Sequence, residues 1–162
     1  MKVLRKQGNS KDCLICGMEN EHGIKAPFYE MEDNTLISIF QYKEFHQSYP
    51  GRVHGGMISS LLDELIGRAI WITEPEMWGV TMTLNVKFRK PVPYNTNLKA
   101  VGKITNSKSR TFEGTGELYD MDGNLLASAE AVYFKLPLEK ISEIGDHDYI
   151  NIYYPDDVSE IN

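Results

Sequence analysis

The sequence predicts an α+β domain in which an antiparallel sheet of about five or six strands wraps around one long central helix. Three observations carry that expectation. Segment 57–72 (MISSLLDELIGRAIWI) is apolar on nearly every face, segments 79–89, 97–105, 111–119 and 125–135 alternate in polarity, and short turn-forming links separate the last of these. A helix that is apolar almost all round is a buried one. Successive antiparallel strands form a sheet, and that helix must cover one of its faces.

Residues 1–23 are polar and carry Gly8, Gly17 and Gly23, so an irregular N-terminal segment is expected, with the folded domain at 24–140 and an acidic tail at 141–162. The run 35–42 (TLISIFQY) has the β-branched and aromatic content of a strand, and Pro50 and Gly51 mark a loop after it. In the helix, Met57, Ile58, Leu61, Leu62, Leu65, Ile66, Ala69 and Ile70 supply the apolar surface, and 73–77 with Pro75 ends it. Segment 79–89 alternates fully, with Val80, Met82, Leu84, Val86 and Phe88 on one face and Thr81, Thr83, Asn85, Lys87 and Arg89 on the other. Asp122-Gly123 is a hairpin signal before 125–135. Small residues recur at alternate positions (Ala100 and Gly102, Gly114 and Gly116, Ala127, Ala129 and Ala131), which lets a sheet curl closely around a helix.

At 162 residues the chain suits one domain that can bury a core without disulfides or a structural metal. With 41% apolar and 25% charged residues it has the balance of a globular protein. No apolar stretch is long enough for a signal core or a membrane span, so a cytoplasmic protein with no membrane partner is expected. A net charge of −6 argues against nucleic acid as a partner, which requires a basic footprint. Cys13 and Cys16 are too close together to staple distant parts of a secreted fold.

Three features point to chemistry. On the helix, Glu64 and Arg68 form an i,i+4 pair, whereas Asp63 has Ser59, Ser60 and Gly67 as its same-face neighbours and no cation. Burial raises the pKa of such an acid toward a general base; the bland alternative is an acid that reaches solvent. His54-Gly55-Gly56 stands where the helix begins, with amides that lack intrahelical acceptors and can hold an oxyanion. The alternative there is a flexible turn. Gly55 and Asp63 are eight residues apart, which is about 12 Å along a helix, so one reacting group cannot touch both within a protomer. If both act, the site lies between subunits of a homodimer or a dimer of dimers.

The pattern His-Gly-Gly-x6-Asp opening an apolar helix, preceded by QSYPGRV and followed by GVTMTLNVKFRKP, resembles the hotdog-fold acyl-CoA thioesterases of the phenylacetyl-CoA thioesterase-like branch. The upstream CLICGMENEHGIK resembles a Cys-x-x-Cys-Gly lead segment found in many members. The resemblance implies hydrolysis of an acyl-CoA without a cofactor. It makes Asp63 the nucleophile or general base, Gly55 the oxyanion donor supported by His54, Gly56 part of the substrate loop, and Thr81 the residue that positions water. Where some members have an asparagine six positions before the histidine, this chain has Ser48, with Gln47 beside it. For the CoA phosphates the basic candidates are Lys87, Arg89 and Lys90 at one strand end and Lys103, Lys108 and Arg110 around a turn.

Three other readings compete. A module that binds or senses acyl-CoA without hydrolysing it would not need Asp63. A dehydratase of the same fold would need a differently spaced histidine and acid. A zinc site from Cys13, Cys16 and His22 lacks a second ligand pair of the usual spacing, so no metal is expected.

Overall fold

The computed structural model describes residues 1–143, 153 and 158–162. Strands β1 (Val3–Gln7), β2 (Phe28–Met31) and β3 (Leu36–Phe40) precede helix α1 (Gly55–Ala69), which runs on into a 3-10 turn at Ile70–Ile72. Strands β4 (Trp78–Phe88), β5 (Leu98–Ser107), β6 (Thr111–Asp120) and β7 (Leu125–Leu136) follow. All neighbouring pairs are antiparallel, in one seven-stranded sheet of order β1-β2-β3-β5-β6-β7-β4. The sheet wraps one face around α1, as expected, with more strands than expected.

The core lies between them. Leu61, Leu62, Leu65 and Ile66 of α1 are fully buried, each contributing about 2 kcal/mol of burial. The small residues opposite them make room. A Cβ on Gly102 would sit 2.8 Å from Leu65 Cγ, and one on Gly114 would sit 2.6 Å from Ile66 Cγ2.

Four expectations are corrected. The first concerns residues 1–23, which are not irregular throughout. Val3–Gln7 forms β1, stitched to β2 by Arg5, which donates to Glu30 at 2.7 Å. Ile15, Cys16 and Ile24 belong to the core, so the folded unit does not begin at 24. That strand owes its existence to its partner, because its own polarity pattern is weak.

The second is strand order. The link from β4 to β5 is not a tight turn: it carries Pro91 and Pro93, passes beneath the helix start where Val53 donates to Val92 O, and delivers β5 beside β3. Strand β4 therefore pairs with β7 and forms one edge of the sheet.

The third is the alternation of β4. Thr81 pairs with Tyr133 and Thr83 with Val132, leaving Met82 as the extra residue of a bulge. Beyond it Leu84 and Val86 pair with Ala131 and Ala129, which face the helix; before it Thr81 shares the face of the buried Tyr133. The bulge thus moves Thr81 from the outer face to the helix face.

The fourth is the tail. Its described end docks onto the other side of the sheet, where Ile161 and Val158 cover Tyr29, Met31 and Ile37. Most of the acidic stretch 145–157 lies outside the described residues. Among the described residues, no helix is long and apolar enough to cross a membrane.

Candidate active site

His54 is the N-cap of α1. Its Nδ1 accepts from the Gly56 N–H at 2.8 Å, so the ring carries its proton on Nε2. A Cβ on Gly56 would crowd that nitrogen at 3.0 Å, which explains the second glycine. The His54 N–H donates to His46 O at 2.8 Å, and the Met57 and Ile58 N–H groups turn back to His54 O. Among the described residues the Gly55 N–H alone of these has no acceptor. The structure therefore sorts the two glycines: Gly55 keeps an open amide at the positive end of the helix, while the amide of Gly56 is occupied by the cap.

Eight positions along, Asp63 is half-buried between α1, β4 and β7, less buried than expected. Its Oδ1 accepts from Thr81 Oγ1 at 2.8 Å and from Tyr133 Oη at 3.0 Å. The same Tyr133 hydroxyl lies 2.7 Å from the Asp63 backbone O, so its single proton is shared between the two. Burial first, and then the charge and hydrogen bond of Asp63, push the Tyr133 phenol well above its ordinary pKa, which keeps it a donor. Among the described residues Asp63 Oδ2 takes no hydrogen bond. Asp63, Thr81, Tyr133, Trp71 and Trp78 line a cavity of about 650 Å³. The two indoles form an edge-to-face pair at 4.7 Å within that wall.

A second cavity, of about 370 Å³, opens at the helix start and is lined by Ser48, Arg52, Gly55, Phe88, Arg89 and Lys90. Ser48 is thus brought to Gly55, whereas Gln47 is tied in a bridge with Val53 outside the lining. Arg89 and Lys90 lean on Ser128 and Asn124, each at 3.3 Å. Lys108 and Arg110 belong to neither cavity. They sit on the β5–β6 turn, where Arg110 O accepts from the Lys135 N–H beside the start of β4, at the opposite end of that strand from Arg89.

The sequence model of the thioesterase superfamily matches residues 50–127. Over that stretch the chain is similar to the thioesterase superfamily. Mouse acyl-coenzyme A thioesterase THEM4 is 30% identical over 118 residues, 71% of this chain and 49% of THEM4, so the chain spans about half the length of that relative. A crystal structure of a thioesterase superfamily protein superposes with a TM-score of 0.70 at 25% identity, covering 76% of this chain and 63% of that one. A Bacillus halodurans protein crystallised with CoA gives 0.60 at 26% identity, over 67% of this chain and 72% of the other. The fold is the hotdog fold.

The region that matches the superfamily holds Gly55, Asp63 and Thr81 and stops short of Tyr133. It also excludes the lead segment, whose Cys13 and Cys16 line the Asp63 cavity. Their sulfurs gather with a Glu64 carboxylate oxygen within 4.8 Å of one another. His22, their companion in the competing zinc reading, meets Phe45 edge-to-face instead, and its carbonyl lies 2.7 Å from His46 Nε2. The buried Arg68 guanidinium reaches Glu64 at 2.8 Å and Cys16 at 2.9 Å, so a fixed cation already serves that cluster.

Sequence reasoning missed Tyr133, Arg52 and the two indoles. Tyr133 had a signal, since it continues the parity of Ala127, Ala129 and Ala131 and puts an aromatic hydroxyl at the end of a row of small residues. Arg52 stood in the stretch just before His54, an exposed cation with nothing to distinguish it.

Proposed function

We propose that this chain is a thioesterase that hydrolyses an acyl-CoA thioester, with Asp63 of one subunit acting on a carbonyl held by the Gly55 amide of the partner subunit. The observation that carries the reading is the state of Asp63. One oxygen is clamped by two hydroxyls, the other is uncommitted among the described residues, and both belong to a cavity walled by indoles. Such an acid is oriented without being neutralised. It attacks the carbonyl to form a mixed anhydride, or takes a proton from water as the water attacks. The developing oxyanion takes the Gly55 N–H, which has no other acceptor among the described residues.

Two subunits are required because Gly55 and Asp63 lie about 12 Å apart on one helix. Strand β4 supplies the means. It is an edge strand of 11 residues, Thr81 stands at Asp63, and a Cβ on Gly55 would lie 3.4 Å from the Phe88 ring. Antiparallel pairing of two such edges about an axis near Leu84 and Asn85 sets Thr81 against the partner subunit's Phe88, and so sets Asp63 beside the partner subunit's Gly55. The pairing also removes an unpaired edge from solvent. A dimer of dimers is compatible with it.

Arg52, Arg89 and Lys90 around the Gly55 cavity would hold the phosphate-bearing part of CoA. The CoA in the Bacillus halodurans structure supports that class of ligand. Lys108 and Arg110, at the other end of β4, would contribute only as the partner subunit's residues. His54 holds the loop through its cap, Ser48 and Gly56 shape the mouth, Thr81 orients Asp63 or its water, and Gln47 drops out of the proposed set. No cofactor is needed for this chemistry, and the two free thiols suit the cytoplasm.

A panel of acyl-CoA thioesters assayed by released thiol tests the reading. Wild type should turn over at least one class of acyl group, and Asp63→Asn should fall about 10²- to 10⁴-fold in kcat. Binding of acyl-CoA without turnover of any panel member would replace hydrolysis with sensing.

A further inference from the structure

The lead segment carries chemistry that hydrolysis does not use. Residues 13–17 form one helical turn, with the Gly17 N–H donating to Cys13 O at 2.8 Å. A side chain on Gly17 would run into the Cys13 backbone, so glycine lets the turn close. The two sulfurs lie within 4.8 Å of each other. Residues three apart on such a turn have Cβ atoms about 5–6 Å apart, wider than the roughly 3.5–4.5 Å of a disulfide, so closure needs the turn to tighten as well as the side chains to rotate. The two thiols lie in unlike surroundings. Cys16 Sγ accepts from Arg68 Nη2 at 2.9 Å and lies 3.3 Å from Ser10 Oγ. Cys13 Sγ donates to Glu64 Oε2 at 3.1 Å.

That arrangement divides a two-step oxidation between the sulfurs. Arg68 is anchored by Glu64, by Gly8 O at 3.1 Å and between the Phe28 and Trp71 rings, so its charge stays beside Cys16. The Cys13 hydrogen bond first, and then Arg68 and Ser10, hold the Cys16 thiol below its ordinary pKa against burial and the Glu64 charge. For Cys13 its neighbour Cys16, burial and the Glu64 charge all push the other way. Cys16 is only 1% exposed, yet both cysteines line the Asp63 cavity, which offers a small oxidant a route to them.

We propose that Cys13 and Cys16 are an oxidisable dithiol in the wall of the Asp63 cavity, with Cys16 the sulfur that attacks a small hydroperoxide and Cys13 the one that closes the disulfide. In the first step the Cys16 thiolate attacks one oxygen of hydrogen peroxide and the O–O bond breaks. The sulfur becomes a sulfenic acid, while the departing hydroxide takes up the proton that the Cys16 thiol gave up and leaves as water. In the second, Glu64 takes the Cys13 proton, the Cys13 sulfur attacks the Cys16 sulfur, and the sulfenic hydroxyl leaves as water with that proton. The sum is two thiols and one hydroperoxide giving one disulfide and two waters. A dithiol reductant reverses it by exchange. The product breaks the Cys16–Arg68 and Cys13–Glu64 contacts, on the turn of α1 that carries Asp63.

Intact-mass measurement on the full chain tests this without any assay of hydrolysis. One equivalent of hydrogen peroxide should remove two hydrogens and both titratable thiols, and dithiothreitol should restore them. Cys13→Ser should stop at a sulfenic acid that a cyclic 1,3-dione captures, and Cys16→Ser should slow peroxide consumption about tenfold or more. Glu64→Gln should form the sulfenic acid at no less than the wild-type rate and close the disulfide about tenfold more slowly. Two thiols surviving excess peroxide in the wild type would overturn the proposal. So would one equivalent of tightly held zinc that shields both thiols until it is chelated.

Discussion

Asp63 and Glu64 are neighbours on α1 with the same functional group, yet the fold treats them in opposite ways. Glu64 meets a fixed guanidinium and a thiol. Asp63, about 100° further back around the helix, meets two hydroxyls and, among the described residues, no cation. The first acid is neutralised, ties the Cys13 turn to the helix and fixes Arg68, which in turn reaches Gln7 of β1. The second is held in direction while its charge is left for a substrate. One position of register in the helix therefore separates an architectural carboxylate from a reactive one.

The largest test of that contrast is chemical. Asp63→Asn keeps the shape and the hydroxyl contacts, so it should cost about 10²- to 10⁴-fold in kcat while the melting temperature stays near that of wild type. A fall in stability with activity intact would reverse the roles of the two acids. Next in size is Arg68→Leu, which strands Glu64 in the core. Loss of one partner from a buried pair costs about 3–5 kcal/mol, and urea unfolding should show it.

Glu64→Gln should give a smaller, pH-dependent loss. Burial works against the Glu64 charge, but the charge and hydrogen bond of Arg68 and the bonds from the two thiols bring its carboxyl below the ordinary value of 4.5. The unfolded chain therefore binds that proton first as pH falls. The stability this provides is fully present above 4.5 and is lost as pH drops through the lower, folded value. The gap between wild type and Glu64→Gln should be widest near neutrality and shrink below that point; a gap constant with pH would mean that the charge of Glu64 contributes nothing. The smallest effect belongs to Tyr133→Phe, which removes one donor from Asp63. It should cost about 1 kcal/mol of stability and a larger share of kcat than of KM, because the lost bond orients the reacting group.

Much of this was legible in the sequence. The all-round apolar run at 57–72, the parity of the later strands and the small residues opposite Leu65 and Ile66 are local patterns, and they led to the central helix and the curled sheet. His54, Gly55 and Asp63 were visible because they depart from those patterns. What escaped depends on distant partners. Val3–Gln7 becomes a strand only because β2 is there to pair with it. The Met82 bulge, which turns Thr81 toward Asp63, is a matter of register with Val132 and Tyr133. Tyr133 itself comes to Asp63 from 70 residues away along the chain.

The central claim is that each site is shared between subunits, and mixing two inactive variants tests it most directly. Asp63→Asn removes the acid. Gly55→Pro removes the amide at a first helical position where proline is tolerated. Each variant alone should be inactive as a homodimer. After the two are unfolded, mixed in equal amounts and refolded, hybrid dimers should carry one site with both native groups, restoring about a quarter of wild-type activity if subunits pair at random. A mixture as inactive as its parents would contradict the shared site and place Asp63 and Gly55 in separate roles.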